Sequence, residues 1–169
     1  NDWLAGTPGR RRMRKLDESD LAAMRIDVEA RIAHIDRVMD QSRLEGDAVV
    51  WRGLRADDPR FDRADLAGLE FDELSYLSTT VDEARAFKFA ARDGEAPGVL
   101  MRMIAPRGTG AIDMSEVEGE LLLQRGLRLR VVRDHGIGPE GVRRIDVEVV
   151  PSTTPTLTPA QIQRAAARA

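Results

Sequence analysis

The sequence contains no cysteine. That excludes disulfides, thiolate catalysis and cysteine-ligated zinc or iron–sulfur centres, but not secretion, because disulfide-free proteins are exported too. Histidine is scarce: His34 lies in a helical pattern and His135 in a turn cluster, far apart and without ligand spacing, so both read as structural or solvated. Aromatic residues are 4% of the chain, and Lys15 and Lys88 are its two lysines. No apolar run reaches membrane-spanning length and the N-terminus carries no signal-peptide core, so no membrane partner is expected. The net charge of -3 gives no pull toward nucleic acid or acidic lipid. There is no P-loop, no Gly-rich dinucleotide fingerprint and no internal repeat.

What is present is a globular balance, with 42% hydrophobic and 33% charged residues over 169 positions, enough for one domain with a real core. A single domain over 1–169 is expected, its core about 17–150, with 151–169 an extension in which Thr158 caps and Pro159 starts a short helix. The chain begins at Asn1 and not at methionine, which fits a piece of a longer polypeptide.

Hydrophobic period sets the elements. Leu21, Met24, Val28, Ile32, Ile35 and Met39 recur at three and four, predicting an amphipathic helix over 17–44 laid on a core, capped by Asp17 or Ser19 and ended by Gly46. Strands are expected at 48–54, 74–80, 99–104, 121–123, from 127, and at 142–150. Helical character covers 81–92; 55–73 and 105–115 read as loops, and 134–141 as a turn cluster. Strands cluster late without regular βαβ alternation, so the class is α+β.

Three short stretches carry chemistry. Arg52-Gly53 at a strand end offers a planar fork for a phosphate and a backbone that a ligand can approach, although an edge arginine facing water fits as well. Ser78-Thr79-Thr80 ends a strand before a helix; Thr80-x-x-Glu83 is a capping box, while Ser78 and Thr79 have less evident structural work. Glu118-Gly119-Glu120 precedes an apolar strand. In extended chain the two carboxylates would project side by side, whereas Ser115-x-x-Glu118 also fits a cap. The basic run Arg10 to Lys15 could touch phosphate but reads better as a solvated loop or helix start.

In order and spacing, Val50-Trp51-Arg52-Gly53, Tyr76-Leu77-Ser78-Thr79-Thr80 with the helix after it, and Glu118-Gly119-Glu120-Leu121-Leu122-Leu123-Gln124-Arg125-Gly126 resemble the arginine, Ser-Thr-Ser, Glu-x-Glu class of mono-ADP-ribosyltransferases. The class includes clostridial-type binary toxins, vertebrate ecto-enzymes and bacterial effectors; the resemblance covers roughly 20–150. It implies two packed mixed or antiparallel sheets flanked by N-terminal helices, with NAD as co-substrate and no metal. Arg52 would bind a phosphate of NAD, and the Gly53 backbone the nicotinamide carboxamide. Ser78 would hold Glu120 and the nicotinamide ribose, with Thr79 and Thr80 supporting that strand end. Phe89, ahead of Phe87, would flank the nicotinamide ring, and Arg92 would be a second phosphate contact. Glu120 would bond the ribose 2′-hydroxyl and stabilise the charge that builds as nicotinamide leaves; Glu118 would take a proton from an incoming guanidinium.

A glutamate two residues before the catalytic one accompanies arginine acceptors in this class, so Glu118 implies arginine-specific transfer to a target protein. The resemblance further implies a toxin or effector domain, delivered as part of a longer protein and matched by an immunity protein. The richness in alanine, arginine and aspartate fits a GC-rich bacterial or phage source. The sequence departs from the pattern at Thr80, where serine is usual, in the 106–115 loop, which lacks an aromatic, and at the N-terminus, which lacks the tyrosine and asparagine of some toxins. Two other readings are an RNA or small-molecule acceptor and a non-catalytic module such as a phage structural protein.

Overall fold

The computed structural model describes residues 17–55, 58–91, 97–114, 116 and 119–150. The basic run 10–15, Arg92, Glu118 and the 151–169 extension lie outside the described residues. The chain divides into two compact units, 1–34 and 35–169.

One continuous helix, α1, runs Glu18–Gln41, unbroken and shorter than expected, so Gly46 does not end it. Asp17 caps it: the Asp20 N–H donates to Asp17 Oδ1 at 2.8 Å. The expected core-facing stripe is corrected in the first unit, where Leu21, Met24 and Val28 are 50%, 53% and 49% exposed. Within α1 only Met39 is buried.

The second unit holds two sheets. Strands β1 (Ala48–Leu54), β2 (Glu70–Glu73), β4 (Val99–Ala105), β7 (Leu127–Ile137) and β8 (Arg143–Val150) form a five-stranded sheet in the order β1-β4-β8-β7-β2. Strands β3 (Leu77–Thr79), β5 (Ala111–Met114) and β6 (Glu120–Leu123) form a three-stranded sheet in the order β3-β6-β5. Pairing is antiparallel except for β4 with β8. The α+β class and the two packed sheets follow the expectation. Two four-residue strands, β2 and β5, replace parts of expected loops, and β7 extends into the first half of the expected turn, kinked by register shifts after Val131 and Asp134.

Alternation decides where the core lies. Val50, Met101, Met103, Leu129, Val131, Ile145 and Val147 face inward from the large sheet; Leu77, Ala111 and Leu123 meet them from the small one. Each such side chain contributes roughly 1.5–3 kcal/mol by leaving water. The Gln124-Arg125-Gly126 turn passes the chain from β6 to β7, hence from one sheet to the other. It is clasped by a buried charge: the Arg125 guanidinium donates to Asp36 at 2.6–3.2 Å, and the Tyr76 hydroxyl donates to Asp36 Oδ1 at 2.9 Å. Arg125 is the main cause holding the Asp36 carboxyl below its ordinary range, against the opposing effect of burial.

On the opposite face of the large sheet, helix α2 (Glu83–Ala90) lies at backbone contact. A Cβ at Gly53 would stand 2.0 Å from the carbonyl oxygen of Ala86, and one at Gly98 only 1.9 Å from that of Ala90. Glycine on β1 and before β4 is therefore the seat of α2. Gly53→Ala should lower stability by about 1–3 kcal/mol through overpacking, read as a lower urea midpoint at unchanged slope. A shift below about 0.5 kcal/mol, the ordinary surface range, would contradict this seating.

Candidate active site

Helix α2 begins later than the capping box implied. Asp82 is its N-cap, accepting from the Ala84 and Arg85 backbones at 2.9 and 3.2 Å. Thr80 is instead buried two residues upstream: its hydroxyl accepts from Asp82 N at 3.1 Å, and its backbone exchanges two hydrogen bonds with Trp51. Asp at that position caps better than a threonine already committed to a bridge between the sheets.

That Trp51–Thr80 bridge, the start of α2 and the Gly119–Glu120 turn enclose a cleft of about 370 Å³. Ser78, Thr79, Thr80, Phe89 and Glu120 all line it, together with Trp51, Arg85 and Gly119. The register Ser78↔Leu122 and Thr79↔Leu121 places Ser78 and Glu120 on the same face of the small sheet, diagonally across the β3–β6 ladder. Thr79 points the other way: it is buried, and its hydroxyl donates to the Leu121 carbonyl at 2.5 Å. Among the described residues no hydrogen bond joins Ser78 to Glu120. Phe89 is 52% exposed and presents ring surface to the cleft, whereas Phe87 is half-buried beneath the Arg144 guanidinium, 5.7 Å away.

Arg52 and Gly53 stand behind this wall and not on it. Arg52 Nη1 donates to the Ser78 carbonyl at 2.9 Å, the one hydrogen bond its side chain makes among the described residues. Its Nε is buried without a partner. Burial is the main cause holding its guanidinium below the ordinary value; Glu73 pulls it up, Arg60 down and Glu120 up again. At neutral pH it remains a cation with unused donors. Gly53 lies two residues beyond Trp51, so its N–H and C=O point to the same strand edge as those paired with Thr80, on the side of β3. Its missing side chain is explained by α2.

Two contributors escaped the sequence reading. Glu73, on β2, accepts from the Ser75 hydroxyl at 2.8 Å and lies 3.8 Å from Arg60. Arg60 in turn is forked onto Asp58 and lies over the Phe71 ring at 4.9 Å. This charged row reaches Arg52 from a segment that looked like loop. Arg85 is the other; it sits one helical turn before Phe89, and the period of the helix was the available signal.

Gly119 has φ +62° and precedes Glu120, the first residue of β6. The expected side-by-side projection of the two carboxylates involves Glu118 and lies outside the described residues. Among the described residues no cluster of three or more His, Asp or Glu could hold a metal, and no helix is long and apolar enough to cross a membrane.

No model of a known protein family matches the sequence, and no curated protein is similar to it. Solved structures are similar in fold. The C3 exoenzyme of Clostridium limosum aligns with TM-score 0.60 at 16% identity, over 74% of this chain and 70% of that one. The Vis toxin of Vibrio splendidus, an ADP-ribosyltransferase, gives 0.63 at 18% over 83% and 65%. The C3larvin toxin of Paenibacillus larvae, also an ADP-ribosyltransferase, gives 0.51 at 20% over 79% of each. Two mostly antiparallel sheets, a cleft at their junction and these likenesses together show that the chain has the ADP-ribosyltransferase fold.

Proposed function

We propose that this chain is an NAD-dependent mono-ADP-ribosyltransferase that modifies arginine of a target protein, as the catalytic domain of a bacterial toxin or effector. The observation that carries the reading is the convergence of Ser78, Phe89 and Glu120 on one cleft backed by Arg52. The donor set suits NAD as substrate: a part-buried cation with unused donors for a phosphate, an exposed ring for nicotinamide, and a carboxylate where positive charge would develop.

Each residue has a defined task. Arg52 holds the Ser78 end of β3 through Nη1 and offers its remaining N–H groups to phosphate. The Gly53 backbone accepts and donates to the carboxamide. Ser78 and Glu120, on one sheet face, bracket the nicotinamide ribose. As the C1′–nicotinamide bond lengthens, the ribose becomes cationic and the Glu120 carboxylate stabilises it in a site partly shielded from water. Arginine is protonated at neutral pH and a poor nucleophile, so Glu118 orients the acceptor guanidinium and takes one proton as the new C–N bond forms. Arg92 would be the second phosphate contact. A target protein and an immunity protein are the partners this implies.

The test is nicotinamide release from NAD by the purified chain, with and without agmatine as a soluble guanidinium acceptor. Agmatine-dependent release, with ADP-ribosyl-agmatine as product, is expected. Release indifferent to agmatine would keep NAD cleavage and discard the arginine acceptor, whereas no release from folded protein would leave a non-catalytic module. Glu118→Gln should lose transfer to agmatine while keeping NAD hydrolysis; equal loss of both would refute the separate roles of the two glutamates.

A further inference from the structure

Arg85 is the charged side chain on the cleft wall to which the proposed reaction assigns no task. Its backbone is fixed in the first turn of α2, where its N–H donates to Asp82 Oδ1 at 3.2 Å. Its side chain is exposed and reaches across to the acidic turn. Nη1 lies 1.5 Å from the point where a Cβ on Gly119 would be, and Cζ lies 2.8 Å from it. The guanidinium thus rests over the α-carbon of the residue between Glu118 and Glu120, in space that exists only because residue 119 is glycine. Among the described residues no side chain pairs with that guanidinium. It shares the cleft wall with Phe89, Thr80 and Glu120.

An exposed guanidinium against Gly119, with no side-chain partner among the described residues, stands where an acceptor arginine would have to be presented. We propose that Arg85 is an intramolecular acceptor, so that the chain ADP-ribosylates itself at this residue; the inference rests on the function proposed above. In the step, the bond between ribose C1′ and the nicotinamide nitrogen breaks, its electron pair leaving with neutral nicotinamide. An Arg85 Nη forms the new bond to C1′. One guanidinium proton is released, to Glu118 or to solvent, and the substituted guanidinium keeps its positive charge. No oxidant or further reactant is needed. The product carries the diphosphate and adenosine into the cleft mouth, so agmatine turnover falls as the adduct accumulates. Lys88, exposed one turn further along the same helix, is an internal comparison, because an amine lacks the planar guanidinium that the acidic pair would orient.

The experiment incubates the full chain with NAD alone, maps adducts by tandem mass spectrometry, and assays agmatine modification with the same preparation. The expected result is one ADP-ribosyl group on Arg85, none on Lys88, and a modified fraction per unit time unchanged on dilution. Catalytically impaired Glu120→Gln chain mixed with the active chain should stay unmodified at Arg85. Arg85→Lys should lose the adduct, and an adduct of equal amount on another arginine would overturn the assignment. Agmatine modified while Arg85 stays bare would overturn the inference and leave the proposed function intact. Neither agmatine nor Arg85 modified would overturn both. Labelling of the Glu120→Gln chain in the mixture, or a fraction that falls with dilution, would show transfer between molecules and overturn the intramolecular step.

Discussion

Glu120→Gln is expected to lower nicotinamide release from NAD by at least about 10²–10³-fold, the range for removing one preorganised electrostatic partner of a transition state. The substitution keeps the size and planarity of the side chain and removes its charge. Glu120 opens β6 and pairs with Met114, at the rim of the core, so the fold should tolerate the change. Arg52 should respond in turn, because Glu120 is one of the two carboxylates that favour its charged form. The decisive comparison sets turnover beside the urea midpoint. A midpoint within experimental scatter and a collapsed turnover place the effect in the reaction. Turnover within about tenfold of the parent would remove Glu120 from the role given to it, since that amounts to only 1.4 kcal/mol.

Arg143→Met is expected to cost about 3–5 kcal/mol of folding stability, because it strands a buried carboxylate. Arg143 and Asp134 have side chains only 9% and 6% exposed. The guanidinium forks onto Asp134 and donates to the carbonyls of Arg63 and Ala64. Asp134 also accepts from the backbones of Leu66 and Gly136, each at 2.9 Å. Every partner is used, so each loss leaves others unsatisfied. The same pair sets an acid limb. Arg143 is the main cause that lowers the Asp134 pKa from 3.8 to about 2. The folded value lies below the unfolded one, so this contribution is complete above about pH 4 and is lost as pH falls through the folded value. It amounts to about 2 kcal/mol. Asp134→Asn should flatten the stability profile between those pH values, and an undiminished acid limb in that variant would assign the transition to other carboxylates.

The network also bears on the site. It ties the 63–66 segment to β7 and β8, just before β2 carries Glu73 toward Arg52. None of this was legible in the sequence, where 55–73 looked acidic and turn-rich. A four-residue strand such as β2 or β5 has too few side chains to show a period. It forms because β7 and β6 offer unpaired edges, which is tertiary information. The long, strongly patterned elements β1, β4, β8 and α2 were legible, since their burial repeats every two or every three to four residues. His135-Gly136 looked like a turn because local composition cannot distinguish a turn from a bulged strand. On α1 the apolar spacing predicted the helix and the inward face of Ile32, Ile35 and Met39, but not the exposure of Leu21, Met24 and Val28: spacing fixes a face but not what lies against it. Ser78, Phe89 and Glu120, which line the cleft, belong to short stretches that could be read in the sequence. Glu73 belongs to no such stretch and emerges only from proximity, whereas the helical period alone marks Arg85.

The passage of the chain between sheets at Gln124-Arg125-Gly126 has a kinetic consequence. The central parallel pair joins Val99 to Arg143, and β1 cannot gain its neighbour until β4 has been made. Neither sheet can close on residues near in sequence alone, so formation of the native topology is slow relative to that of a helical domain of similar size. The cleft draws on β1, β3, α2 and β6, so it is complete only once elements of both sheets are in place. A partly folded chain carries no half-active site. Recovery of nicotinamide release during refolding should follow the slowest spectroscopic phase, and a chain held unfolded in transit would be chemically silent until it folds.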